Sequence, residues 1–252
     1  MPDIESLPEP PVPAVPSADP VPVMPGGPAI SLPDTIAVLL AFFSLHGIGG
    51  YLVRLFPDIP GLNFVSAGAA ANALLALAIL VLFRIEYENG WERIGLVSIR
   101  LVRAGGYALG ILLLAFAAGF IYMQVIRLCI PASEDMESFF RQETLERVVG
   151  LGREGHWGMM VFTAVVAAPL AEEFIFRGVL YSAIRERWGF VAALATTSVL
   201  FGVIHGELVV IPPLACFGMF LALGREWTGS IIPGIFAHAL HNALALVSRN
   251  AG

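Results

Sequence analysis

Glu172 and Glu173 stand side by side in the apolar stretch VVAAPLAEEFIFRGVLYSAI, with Arg177 about one helical turn further on. An ionisable side chain at the centre of a bilayer costs about 2.5–3.5 kcal/mol on insertion scales, so three in one span demand internal partners or an aqueous cavity. Glu173 and Arg177 are four residues apart with the acid first, the favourable order for a helical ion pair. Glu172 points about 100° away round the helix and cannot share that pairing equally. A buried ion pair therefore explains two of the three charges. The carboxyl left over has the properties sought in a general base.

Two more polar groups follow in apolar surroundings. TTSVLFGVIHGE places His205 one turn after Phe201, on the same face of a helix. GSIIPGIFAHALHNALAL places His238 and Asn242 four apart on one face, with His241 flanking it. A lone histidine at a helix end is usually an interfacial or packing residue. An acid pair and two histidine sites on separate spans make packing alone the weaker explanation. His46 and His156 have no such company and read as structural.

In order and spacing, E-E-x-x-x-R (Glu172, Glu173, Arg177), F-x-x-x-H (Phe201, His205) and H-x-x-x-N (His238, Asn242) resemble the signature of the CPBP intramembrane proteases. That family includes the type II CAAX prenyl endopeptidases and bacterial relatives tied to bacteriocin processing, self-immunity and abortive infection. The resemblance covers about residues 100–250 and implies an endopeptidase acting on a membrane-associated, prenylated or leader-type peptide. By resemblance, Glu172 and His205 would activate a water molecule, while His238 and Asn242 would steady the oxyanion. Glu173, Arg177 and Phe201 would support the site.

The chemistry of the residues agrees with that assignment. Peptide hydrolysis needs a base for water, donors where charge develops on the carbonyl oxygen, and an acid for the leaving amine. No serine or cysteine is placed beside these groups as a nucleophile, which argues against an acyl-enzyme route. The resemblance also raises zinc, because the family is often described as metalloproteases and Glu172, His205 and His238 form a two-histidine, one-carboxylate set. H-E-x-x-H is absent. The same three side chains serve a metal-free glutamate mechanism, which is the preferred reading.

The elements that must position these groups are helical spans. The 252 residues are 57% hydrophobic and 13% charged, with a mean hydropathy of +0.80, against about 25% charged for a soluble domain. The expected architecture is an all-α polytopic membrane bundle in a bacterial cytoplasmic membrane, with the lipid bilayer and a peptide or lipidated peptide as partners. The net charge of −6 argues against nucleic acid. Cys129 and Cys216 suggest neither a disulfide framework nor a thiolate zinc motif. A disordered proline-rich tail is expected over 1–33, a transmembrane hairpin with an interfacial segment over 34–103, and the protease-like core over 104–250.

About 20 apolar residues cross a bilayer, and seven stretches qualify: 36–56, 62–83, 104–126, 157–184, 188–206, 208–224 and 228–248. The sixth is interrupted at its start by Pro212 and Pro213. Small residues in the second (Ala67, Gly68, Ala70, Ala71) and third (Gly105, Gly106, Gly110) allow close helix contact, and Asn72 suits an interhelical hydrogen bond. An interfacial helix is expected within 84–103 and a second amphipathic one, or an eighth re-entrant element, within 131–156. Two alternative functions fit a buried acid and histidines. A proton-coupled transporter would show an internal repeat, which the halves lack. A non-catalytic, immunity-type peptide binder would have lost a motif residue, and every motif position is filled.

Overall fold

The computed structural model describes residues 29–59, 61, 63–129 and 157–250, and among these every regular element is helical. In chain order they are α1 (Leu32–Leu55), α2 (Phe64–Glu86), the single turn α3 (Gly90–Arg93), α4 (Leu101–Cys129), the long α5 (Trp157–Val203), α6 (Ile211–Thr228) and α7 (Ile232–Asn250). Four of them, α1, α2, α4 and α5, are long and apolar enough to cross a membrane; α7 carries a shorter apolar stretch over Ile232–Ser248. The chain is an integral membrane protein.

Local chemistry sets the boundaries. Ser31 caps α1 by accepting from the Asp34 N–H, with a proline in the first turn. Asn63 and Ser66 form a reciprocal capping box at the start of α2. Gly189, at φ 83°, breaks α5 into two arms, so the 47-residue stretch supplies the fourth and fifth expected spans. Gly206, at φ 75°, follows the end of the second arm, a backbone that L-residues with a side chain rarely adopt. Pro212 and Pro213 do not disrupt α6. They occupy its first turn, where the missing N–H has no helical partner anyway.

The core lies where α2, α5, α6 and α7 meet. Leu75, Ile79 and Phe83 from α2 pack with Ile175, Phe176, Tyr181, Phe201, Phe217, Leu221 and Ile231. The perimeter is apolar instead: Leu40 and Phe43 on α1, Phe120 on α4 and Val247 on α7 are all exposed, as expected of a surface bathed in lipid tails.

Several expectations need correction. Residues 29–33 are not part of a free tail: Ile30 is fully buried and its N–H donates to Glu186, while Ser31 N–H donates to the Tyr87 hydroxyl. The rest of the proline-rich segment lies outside the described residues, as does the amphipathic 131–156 stretch. Within 84–103, helix is confined to the end of α2, the α3 turn and the start of α4 at Leu101. The intervening chain tucks under the bundle, with Arg93 and Ile94 buried and Gly95 O accepting from Ile231 N–H. Close helix contact uses other glycines than those expected on α4. A Cβ on Gly105, Gly106 or Gly110 would touch nothing within 4 Å, whereas one on Gly224 of α6 would lie 2.8 Å from Ile111. Asn72 is buried on α2, and its Oδ1 makes no hydrogen bond.

Candidate active site

The first arm of α5 is not a uniform α-helix. A π-helical stretch, Phe162–Ala167, gives way to one α-helical segment, Ala168–Glu173, and then to a second π stretch, Phe174–Leu180. The glutamate pair closes the α segment between two widened ones. π insertions in α-helices concentrate at functional sites because each re-aims the side chains beyond it.

Glu173 and Arg177 are both fully buried, and Arg177 Nη1 donates to Glu173 Oε1 at 2.9 Å. The second guanidinium arm donates to Gly218 O at 3.0 Å. The cation lies over the Phe201 ring, 4.4 Å from its centroid. Two glycines make this possible. A Cβ on Gly218 would lie 3.2 Å from Arg177 Nη2, and one on Gly234 would lie 2.5 Å from Glu173 Oε2. The expected pairing of Glu173 with Arg177 is thus present.

His238, on α7, sits between the two carboxylates. Its Nδ1 lies 3.4 Å from Glu173 Oε1 and its Nε2 lies 3.7 Å from Glu172 Oε2. With Nδ1–H directed at Glu173, Nε2 is left facing Glu172, an acceptor in the neutral ring and a second donor in the imidazolium. Edge-to-face contacts with Phe201 and Phe217 hold the ring, centroids 5.5 and 5.6 Å away. Glu172 differs from its neighbour: its side chain keeps 14% exposure against none for Glu173. It is the more exposed of the two carboxylates.

His205 lies in the turn just beyond α5, and its Nδ1 is bonded to Phe201 O at 2.8 Å. The helix ends at Val203, before the histidine. The connection runs through Phe201, whose ring lies 5.2 Å from the His205 ring and 5.5 Å from the His238 ring. His241 stacks on Phe217 at 4.4 Å. Asn242 projects from the same helix as His238, but its amide donates to Ala164 O in the first π stretch at 2.8 Å. His46 behaves as the packing residue it was read to be, with Nδ1 on Phe42 O and its ring against Phe42. His156 lies outside the described residues.

Among the described residues, no three histidine, cysteine, aspartate or glutamate side chains gather closely enough to hold a metal ion. As placed, Glu172, His205 and His238 do not gather into a metal-ligand set. Residues that the motif reading passed over include Phe217, Gly218, Gly234 and Pro169. No local pattern marks Gly218, Gly234 or Phe217, because the groups they meet belong to other helices.

Residues 154–244 match the family model described as type II CAAX prenyl endopeptidase, Rce1-like. The putative membrane peptidase YdiL of Bacillus subtilis (strain 168) is 29% identical over 89 residues, 35% of this chain and 36% of that protein. The membrane-embedded CAAX protease MroQ of Staphylococcus aureus (strain USA300) is 22% identical over 180 residues, 69% of this chain and 70% of the relative. An uncharacterized 24.3 kDa protein of Escherichia coli is 25% identical over 125 residues, 48% and 54% of the two chains. The alignments thus span about a third of YdiL and about half of the Escherichia coli protein. No solved structure matches.

Proposed function

We propose, from the match of residues 154–244 to the type II CAAX prenyl endopeptidase, Rce1-like family model, that this protein is an intramembrane endopeptidase. Its substrate would be a membrane-associated peptide, prenylated or leader-type, cleaved by glutamate-activated water. One observation carries the reading: His238 is held between a fully buried, arginine-paired glutamate at 3.4 Å and a second, accessible glutamate at 3.7 Å. A purely structural ion pair needs neither the histidine nor the second acid.

In this reading Glu172 takes a proton from water as the oxygen attacks the scissile carbonyl carbon. Negative charge then develops on the carbonyl oxygen, and fixed donors lower the barrier most where that charge appears. His238, oriented through Nδ1 by Glu173, presents Nε2–H in its protonated form. Asn242 offers the amide hydrogen that Ala164 does not use. His205, its Nδ1 committed to Phe201 O, directs Nε2 to the water or relays its proton. Glu172 then returns the proton to the leaving amine, so the base and the acid are one residue at two moments. Atoms balance: water is consumed and a carboxylate and an amine are released.

The test is incubation of purified protein, in detergent or liposomes, with prenylated and unprenylated peptides, with and without chelator. New termini found by mass spectrometry support the reading. No cleavage of either class by folded wild-type protein, under conditions where a known relative is active, would contradict it.

A further inference from the structure

Asn242 and Pro169 are linked by the arithmetic of the first π stretch. At its end Ala168 N–H bonds Thr163 O, five residues back. The next donor in that register would be Pro169, which has no N–H. The carbonyl that it cannot reach is that of Ala164. Asn242 Nδ2 donates to that carbonyl, at 2.8 Å from a different helix. A proline thus removes one helical bond, and an amide from α7 replaces it.

The register matters for the glutamates. A π turn holds one residue more than an α turn, so it advances everything beyond it by about 100° round the axis. In an uninterrupted α-helix entering the bundle at the same angle, Ala171 would stand near the present place of Glu172, and Glu172 near that of Glu173. The accessible carboxylate would be gone from the face of His238.

We propose that Pro169 and Asn242 are positioning residues that lock this register, the proline by forbidding the α-helical closure and the asparagine by satisfying the carbonyl left over. The proposal rests on Glu172 being the base. It gives the asparagine of the H-x-x-x-N motif a task besides any contact with substrate. It also explains why a helix-interior proline stands three residues before the acid pair. His238 and Asn242, one turn apart, then fasten α7 to α5 at two points, to the glutamates and to Ala164.

The experiment is a double-mutant cycle in the full-length protein, reading thermal midpoint together with kcat and KM for a cleaved peptide. Pro169→Ala removes the clash of the proline ring with Val165 O and so permits the α-helical closure, in which Ala168 N–H bonds Ala164 O and the new N–H bonds Val165 O. It is expected to keep or raise the midpoint, while kcat falls at least about tenfold with KM unchanged, since the base is re-aimed rather than lost. Asn242→Leu is expected to lower the midpoint, with Asn242→Ala as the substitute if leucine does not fold. The double variant regains the wild-type midpoint. Wild-type kcat in Pro169→Ala, or a double variant no more stable than Asn242→Leu, would overturn the proposal. If the wild type cleaves nothing, the protease reading fails, and the midpoints alone still decide whether the two residues act on one carbonyl.

Discussion

The Glu173 carboxylate and the His238 imidazole meet across two helices, Oε1 to Nδ1 at 3.4 Å. The same oxygen accepts from Arg177 at 2.9 Å. The histidine is therefore oriented by a carboxylate that is itself fixed by a buried cation, and the order of fixation runs from Arg177 to Glu173 to His238. Orientation of one ring nitrogen by a carboxylate determines what the other can do. Here the other nitrogen faces Glu172.

Arg177→Ala is expected to destabilise the protein by about 3–5 kcal/mol, because it leaves the Glu173 charge buried without its partner. Lower folded yield and a lower thermal midpoint in detergent are the readouts. Arg177→Lys keeps the charge but cannot serve Glu173 and Gly218 O with one planar fork, so it should fall between wild type and alanine. A wild-type midpoint for Arg177→Ala would show that the pair is dispensable.

Gly234→Ala tests the packing around the second carboxylate oxygen. Its Cβ would lie 2.5 Å from Glu173 Oε2, so the carboxylate or α7 must shift. Overpacking of this kind costs about 1–3 kcal/mol, and activity should fall with it because His238 depends on the same carboxylate. Gly119→Ala on α4, where an added Cβ meets nothing within 4 Å, is the control and should be silent in both assays.

Much of this was legible in the chain, because a buried charge in an apolar helix is conspicuous whatever surrounds it. Five of the seven apolar stretches lie on the four helices long and apolar enough to cross a membrane and a sixth on the shorter apolar α7, while the 208–224 stretch lies on α6, which does not reach that standard. Glu173 and Arg177 pair as their spacing requires. The π stretches were not legible, since hydropathy patterns do not distinguish a five-residue closure from a four-residue one. Only Pro169, placed inside a span, hinted at the break. Trp91 and four arginines give the 84–103 segment the pattern of an interfacial helix. Arg93 instead turns inward to Glu186 at 3.1 Å, a pairing between residues 93 apart that no local pattern encodes. His205 stands at the end of its span, and its ring meets the same Phe201 ring that His238 packs against, a contact across helices that no local pattern encodes.

Replacing either histidine should abolish cleavage, His238→Ala and His205→Ala each by about 10²-fold or more if they act in proton transfer or charge stabilisation. Exhaustive chelation of the wild type is expected to leave activity intact. The measurement is elemental analysis of purified protein alongside activity after dialysis against a strong chelator. Stoichiometric zinc, with activity lost on its removal and restored on its return, would contradict the metal-free mechanism, since ligation would then be what the histidines are for.

The most direct test of the account is Glu172→Gln, assayed for peptide cleavage and thermal unfolding in the same preparation. Glutamine is nearly isosteric and keeps the packing, but it cannot accept a proton from water. The account predicts an unchanged thermal midpoint and a fall in cleavage of about 10²–10⁴-fold. Full cleavage by a Glu172→Gln protein as stable as wild type would remove Glu172 from the chemistry and contradict the central claim.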